Sequence, residues 1–232
     1  LNFDLSKYDK FKDKIVYIPV NNFPNLNNPW KMLEHQRNIS MREINKYDDD
    51  TYILISDIDE IPNPKKIFEF TKTNSKFGVF EQLFFYYKLN LINTKQSIWH
   101  GSKICKKKYL QSPNWLREYK VKQYPWWRVD KPENIRIIQN GGWHFSYLKD
   151  PIGVEKKLKS IRHHIEYDLN PIGVNKITDL MKNRKLIYNY KADQRTKNKF
   201  ENNETLKRLE LENLPNYLQN NLAKYSEWID KN

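Results

Sequence analysis

The chain has 232 residues, 38% hydrophobic and 14% aromatic, with seven Trp, fifteen Tyr, one cysteine (Cys105) and a formal net charge of +13. That length and aromatic load suit a globular α/β or similar domain with a real core and exclude general disorder. One cysteine excludes an internal disulfide, and no apolar run approaches the roughly 18–20 residues needed to span a bilayer.

The charge suits contact with nucleic acid, an anionic membrane or a phosphorylated ligand; the plainer reading is a Lys- and Asn-rich composition whose lysines are solvated. Nothing at Leu1 resembles a signal peptide, so the chain reads as soluble. Low Gly and abundant Asn and Lys suggest a viral or microbial source, favouring the cytoplasm over a Golgi lumen.

In chain order, "KIVYIPV" (14–20) reads as a strand and "NNFPNLNNP" (21–29) as a loop. "PWKMLEHQRNISMREINKY" (29–47) reads as one helix, with Pro29 near its start and Trp30, Leu33, Met41 and Ile44 at helical spacing. Arg37 falls on that stripe, where a cation needs a carboxylate or a bound anion. "TYILIS" is a short apolar run, as in a central strand covered on both faces. "KKIFEFTKTN" predicts a short helix and "FGVFEQLFFYYKLN" (77–90) one or two strands. Residues 91–134, rich in Trp and Tyr, carry no clear periodicity. "NIRIIQNGGWHFSYL" (134–148) reads as strand, Gly turn, then strand or loop. "PIGVEKKLKSIRHHIEYDL" (151–169) predicts an amphipathic helix with Val154, Leu158, Ile161 and Ile165 on one side. From about residue 175 the chain reads as helical and charged. Strands alternating with helices predict an α/β layered domain with a mixed sheet.

The stretch "LISDIDEIPNP" (54–64) delivers the apolar run straight into Asp57, Asp59 and Glu60. If the strand continues to Asp59, the two aspartates share a face about 6–7 Å apart and repel by roughly 2–3 kcal/mol at an effective dielectric near 20. A cation between them, or open water, relieves this. The strand's C-terminal edge is also where open α/β sheets bind ligands, and hard oxygen donors there suit Mg²⁺ or Mn²⁺ carrying a diphosphate. The alternative is that these acids cap the next helix or pair with lysines.

"QRN" (36–38), "LISDIDEIPNP" (54–64), "WHGSKI" (99–104) and "GGWHFSYL" (141–148), in this order, resemble glycosyltransferase family 17, the β-1,4-mannosyl-glycoprotein 4-β-N-acetylglucosaminyltransferases. The likeness covers roughly residues 10–170. It implies a GT-A-type fold: a mixed sheet flanked by helices in a catalytic domain over 1–170, with a helical extension over 171–232 packed on it. It also implies a UDP-sugar donor with GlcNAc as the sugar, a glycan or glycoprotein acceptor, a Mn²⁺ or Mg²⁺ cofactor and inversion by direct displacement. The family carries a further strand–helix–strand segment before "FKDKIVYIPV" that has no counterpart here.

On that resemblance Asp59 is the expected direct metal ligand. Asp57 is expected to touch metal, ribose or a metal-bound water, and His144 to be a direct or second-sphere ligand; the plainer reading of His144 is packing between Trp143 and Phe145. Arg37 and Gln36 are expected at the donor, although Arg37 suits an ion pair with Asp57 or Asp59 equally. Lys103 could reach phosphate, but within "SKICKKK" it reads more simply as surface. A direct displacement needs a carboxylate base: Glu81, raised in pKa if buried in its apolar strand, ranks before Glu60. Trp99, Trp126, Trp127 and Trp143 are expected to line the acceptor groove, or else, with Trp115, to be ordinary packing. His163 lies where the family often has a histidine. Two other classes remain: a basic nucleic-acid-binding protein, disfavoured by scattered charge and the lack of any zinc-finger or RNP signature, and a non-catalytic glycan-binding remnant.

Overall fold

The apolar run Phe77–Tyr86 becomes β3, the strand around which the sheet is assembled. The fold was analysed in a computed structural model that describes residues 3–24, 28–119, 134–160, 164–188, 200 and 204–231. β3 is buried almost throughout because cores pack on both of its faces and it has strand neighbours on both edges. It pairs antiparallel with β5 (Ile98–Lys106), parallel with β6 (Ile135–Ser146) and, near its end, antiparallel with β4 (Leu91–Asn93). β4 pairs in turn with β7 (Leu206–Arg208). The remaining strands are edges: β1 (Tyr52–Ile55) pairs with β5, and β2 (Glu60–Pro62) with β6. The result is a mixed seven-stranded sheet flanked by helices, an α/β fold.

The connection between β1 and β2 forces this sheet to curl. The two strands are four spacings apart along β1-β5-β3-β6-β2. Flat, that separation is about 19 Å at roughly 4.8 Å per strand. The chain from Ile55 to Glu60 reaches at most about 18 Å when fully extended. It is far from extended, because the Glu60 amide donates to the Asp57 carbonyl at 3.0 Å. The edges must therefore bend toward each other. The bend is taken up at irregularities in β5 and β6: Gly101 and Ser102 oppose the single residue Phe80, and Gln139–Gly141 oppose the single residue Glu81. Gly142, at φ +141°, completes the second irregularity, and a Cβ there would lie 2.2 Å from the Ile61 carbonyl oxygen.

Alternation along β3 distributes its side chains between two cores. Phe84 and Tyr86 pack with Leu91, with Val154 and Leu158 of α5 (Pro151–Ser160) and with Ile177 and Leu180 of α7 (Gly173–Lys182). Phe85, on the other face, packs with Ile92, Phe145 and Leu214. Each such side chain taken fully out of water contributes about 1.5–3 kcal/mol. Smaller clusters join Phe70 of α3 (Pro64–Thr71) to Phe80, Ile104 and Ile138, and Leu116 of α4 (Pro113–Glu118) to Phe77 and Cys105.

Several local expectations are corrected. "KIVYIPV" belongs to no strand: a 3-10 helix runs Leu5–Lys14, and residues 15–20 form no strand pairing among the described residues. The helix expected over 29–47 is two, α1 (Pro29–Asn38) and α2 (Met41–Ile44); Ser40 Oγ donates to the Arg37 carbonyl at the break. β1 is an edge strand in which only Ile53 is buried, so its apolar run reflects one covered face rather than a central position. The glycines of 134–148 bend one continuous strand instead of turning between two. The helix expected over 151–169 is α5 and α6 (His164–Leu169), with 161–163 outside the described residues. After α7 the chain returns to the sheet as β7 before α8 (Asn216–Gln219) and a 3-10 helix (Leu222–Trp228), so its described residues are less helical than expected.

If the Gly142 bend sets the curl, Gly142→Ala should lower stability by about 2–3 kcal/mol, since it adds both a positive-φ penalty and a backbone clash. Urea denaturation measures this; an unchanged midpoint would show that the bend tolerates a side chain.

Candidate functional site

The acidic stretch lies on the tight connection between the two sheet edges. The strand ends at Ile55, and residues 57–60 form a turn. Asp57 and Asp59 therefore do not share a strand face as expected. Ile58, between them, is wholly exposed, and the Asp59 carbonyl accepts from the Phe145 amide at 2.8 Å, pinning the turn to β6. Ser56 Oγ sits 2.6 Å from Ser102 Oγ and fixes the turn to β5.

Glu60 points inward, its side chain 1% exposed. Four donors fill its carboxylate: Trp99 Nε1 at 2.8 Å and Arg117 at 2.6 Å on Oε1, Ser102 Oγ at 3.2 Å and the Asp57 amide at 3.3 Å on Oε2. Gln82 extends the network through Ser102. Arg117 reaches in from α4 because Pro113, Leu116 and Arg117 lie on the helix's buried face, at i, i+3 and i+4. Its guanidinium donates to Glu60, to Asp57 Oδ2 at 2.5 Å and to the Gly101 carbonyl at 2.8 Å. Gly101 must be glycine for this: a Cβ would lie 1.8 Å from Gln82 Oε1. Burial opposes charge on Asp57, yet the bond and charge of Arg117, helped by Arg37, hold its carboxyl below the usual range. Arg117, although desolvated, is held above its ordinary value by Asp57 and Glu60.

Arg37, expected to need an anion, has two carboxylates: Glu118 at 2.8 Å and Asp57 at 3.4 Å, with Asn114 at 3.1 Å. The ion pair is thus the arrangement observed. Lys103 is buried rather than surface-exposed, and its ammonium donates to the Arg117 carbonyl. Burial, then the nearby Arg117 charge, pushes Lys103 down to about 8.

Asp59 faces the other way. Its Oδ1 lies 3.5 Å from His144 Nε2 and its Oδ2 3.5 Å from Lys157 Nζ. Burial works against its ionisation, but the His144 bond and the His144 and Lys157 charges outweigh that and lower its pKa. His144 is buried, stacked on Phe84 at 4.8 Å and tilted against Trp99 at 4.9 Å; its Nδ1 finds no partner among the described residues. The packing reading of His144 is thus right in kind, although the aromatic partners are Phe84 and Trp99. Asp59 and Lys157 open on a cavity of about 360 Å³ also lined by Ile58, Tyr147, Leu148 and Lys149.

The fold therefore gathers Arg37, Asp57, Asp59, Glu60, Trp99, Lys103 and His144 into one connected group. Others stand apart. Glu81 neighbours Gln82 on β3 and so faces the opposite side of the sheet, 3.4 Å from His100 Nε2. Gln36 is exposed. Trp143 also faces the opposite side from His144, packs in the Phe85 core and donates to the Asn213 carbonyl. Trp115 packs edge-on against Phe77. Trp126, Trp127 and His163 lie outside the described residues. The sequence reading missed Arg117, Gln82, Ser102 and Lys157. Of these only Arg117 left a signal, an arginine on the apolar stripe of a capped helix, the same signal that marked Arg37.

Among the described residues no three His, Cys, Asp or Glu side chains converge on one point. Asp59 Oδ1 and His144 Nε2 are nevertheless 3.5 Å apart. Two donors each about 2.1 Å from one ion are separated by roughly 3.0–3.5 Å, so this pair fits two positions of a divalent cation whose other ligands are water or phosphate. No family model, no curated protein and no solved structure matches the chain.

The expected repulsion between Asp57 and Asp59 is outweighed: their mutual charge is the smallest influence on Asp57. Asp59→Asn therefore need not stabilise the protein. It should change stability by no more than about 1 kcal/mol, because both it and Lys157 are 28% exposed. Glu60→Gln should cost about 2–3 kcal/mol, since it takes one of two carboxylates from a buried arginine and sets an amide against buried donors. Chemical denaturation of the two variants checks the contrast; equal costs would contradict it.

Proposed function

We propose that the chain is a metal-dependent glycosyltransferase that binds a UDP-sugar, with Asp59 and His144 as protein ligands of a Mn²⁺ or Mg²⁺ ion. The resemblance to glycosyltransferase family 17 supplies the class, a GT-A-type fold, and GlcNAc as the donor sugar. The observation that carries the reading is the separation of roles within the acidic stretch. Asp57 and Glu60 are committed to arginines, whereas Asp59 faces a cavity with a histidine nitrogen 3.5 Å away.

When bound, the ion would neutralise the diphosphate as the sugar–phosphate bond breaks. The chain's own residues bind and orient. Arg37 is taken up by Asp57, Asn114 and Glu118 on the side away from Asp59, so it fixes Asp57 rather than meeting the phosphates. Lys157, 3.5 Å from Oδ2, is the partner that leaves Asp59 when a stronger cation arrives. The packed ring of His144 holds its Nε2 toward Asp59. A general base must be both unsaturated and within reach of the acceptor hydroxyl. Glu60 is saturated and Glu81 lies across the sheet, so the proposal assigns binding roles and leaves both out of proton transfer.

Calorimetric titration of UDP in the presence and absence of Mn²⁺ tests the reading. Wild type should bind UDP in a metal-dependent manner, and Asp59→Asn should lose about a hundredfold or more of that affinity while keeping its thermal midpoint. Binding unaffected by metal, or by the substitution, would contradict it. A screen of UDP- and GDP-sugars for released nucleotide then reads the donor.

A further inference from the structure

A second cavity adjoins the one at Asp59. It is an open groove of about 550 Å³. Ile61, Phe145 and Leu148 line both cavities, so the two form one continuous trough. One end offers the Asp59 carboxylate with the ammonium groups of Lys149 and Lys157. At the far end, the only polar side-chain atoms among the described residues are the hydroxyls of Tyr217 and Tyr225 and the Trp228 indole N–H; the rest of that described lining is aliphatic or phenyl. The approach is apolar too: Ile58 is fully exposed, Ile61 is 43% and Tyr217 59% exposed. Apolar side chains left in water along a trough of this size mark a binding surface rather than chance exposure.

The polarity of the trough selects its occupant. A free sugar carries hydroxyls along its whole length and would leave most of them unpaired in the far groove, at a cost for each. A plain hydrocarbon would leave Asp59 and the lysines unused. An acceptor and donors at one end followed by an apolar groove suit an amphiphile with a hydroxylated head and an apolar tail. We infer that the groove formed by Tyr217, Leu218, Tyr225 and Trp228 holds the apolar aglycone of a glycolipid-like molecule whose sugar head lies beside Lys149, at the end of the trough that Asp59 and Lys157 open on. On the transferase reading, that molecule is the acceptor; the binding itself does not depend on that reading.

Alkyl glucosides of increasing chain length, titrated below their critical micelle concentrations into the full chain without donor or metal, test the inference. Affinity should rise about three- to fourfold for each methylene added until the groove is filled. Free glucose should bind at least a hundredfold more weakly than the longest glycoside. Tyr217→Ser and Ile61→Ser change exposed residues and so leave the fold intact by thermal midpoint; they should flatten the chain-length dependence. Affinity independent of chain length, or glucose binding as tightly as its alkyl derivatives, would overturn the inference. So would a concentration-dependent dimer abolished by Tyr217→Arg, which would make a second copy of the chain the occupant. The outcomes separate from those of the transferase reading. Chain-length-dependent binding without metal-dependent UDP binding leaves the groove and removes the transferase. Turnover onto soluble sugars with no chain-length effect does the reverse.

Discussion

The guanidinium of Arg117 holds the centre of the molecule together. It enters from α4, lies between Asp57 and Glu60, and caps the Gly101 carbonyl at the irregularity of β5. Those contacts join a helix, a sheet edge and the turn that draws the opposite edge inward. The curl of the sheet brings two acids and a carbonyl together in a space with little water, and an arginine is the side chain whose planar fork can serve all three. Without it, Glu60 would be a buried charge with only neutral donors, a costly state. The network commits both Asp57 and Glu60 to Arg117 and fills the buried Glu60 carboxylate.

What remains free is Asp59. It is one residue from Glu60, yet its environment differs because the turn puts Asp57 and Glu60, three residues apart, on the Arg117 side and Asp59 toward His144 and Lys157. Its partners are a half-exposed lysine and a histidine ring clamped by Phe84 and Trp99. A rigid nitrogen beside a carboxylate is the arrangement on which the proposed metal site rests; the saturated Glu60 carboxylate lacks it. The apolar trough leading away from Asp59 gives the same end of the molecule room for an extended ligand.

Much of the architecture was legible in the residues. The apolar run within 77–90 marked β3, and "KKIFEFTKTN" marked the helix that the structure starts at Pro64 with Asn63 as its cap. The position of β1 was not legible, because a four-residue apolar strand has the same composition at an edge as at the centre. Nor could the turn at Asp57–Glu60 be read, since it is imposed by the distance between β1 and β2, a tertiary fact. The candidate site was half legible. Carboxylates after a strand and arginines on apolar stripes signalled Asp57, Asp59, Glu60 and Arg37. Ser102, Gln82 and Lys157 join them only through the curl and the packing of α5, which no local pattern encodes. Glu81 misled for a related reason: an acid within an apolar strand marks a sheet face, without saying which face carries the site.

Anomalous diffraction from crystals grown with Mn²⁺ and UDP measures the division among the three acids directly. The predicted map has its manganese peak against Asp59 Oδ1 and His144 Nε2, with Lys157 displaced and Arg117 still bonded to Asp57 and Glu60. A peak seated on Asp57 or Glu60 with Arg117 expelled, or no peak and Lys157 still on Asp59, would contradict it.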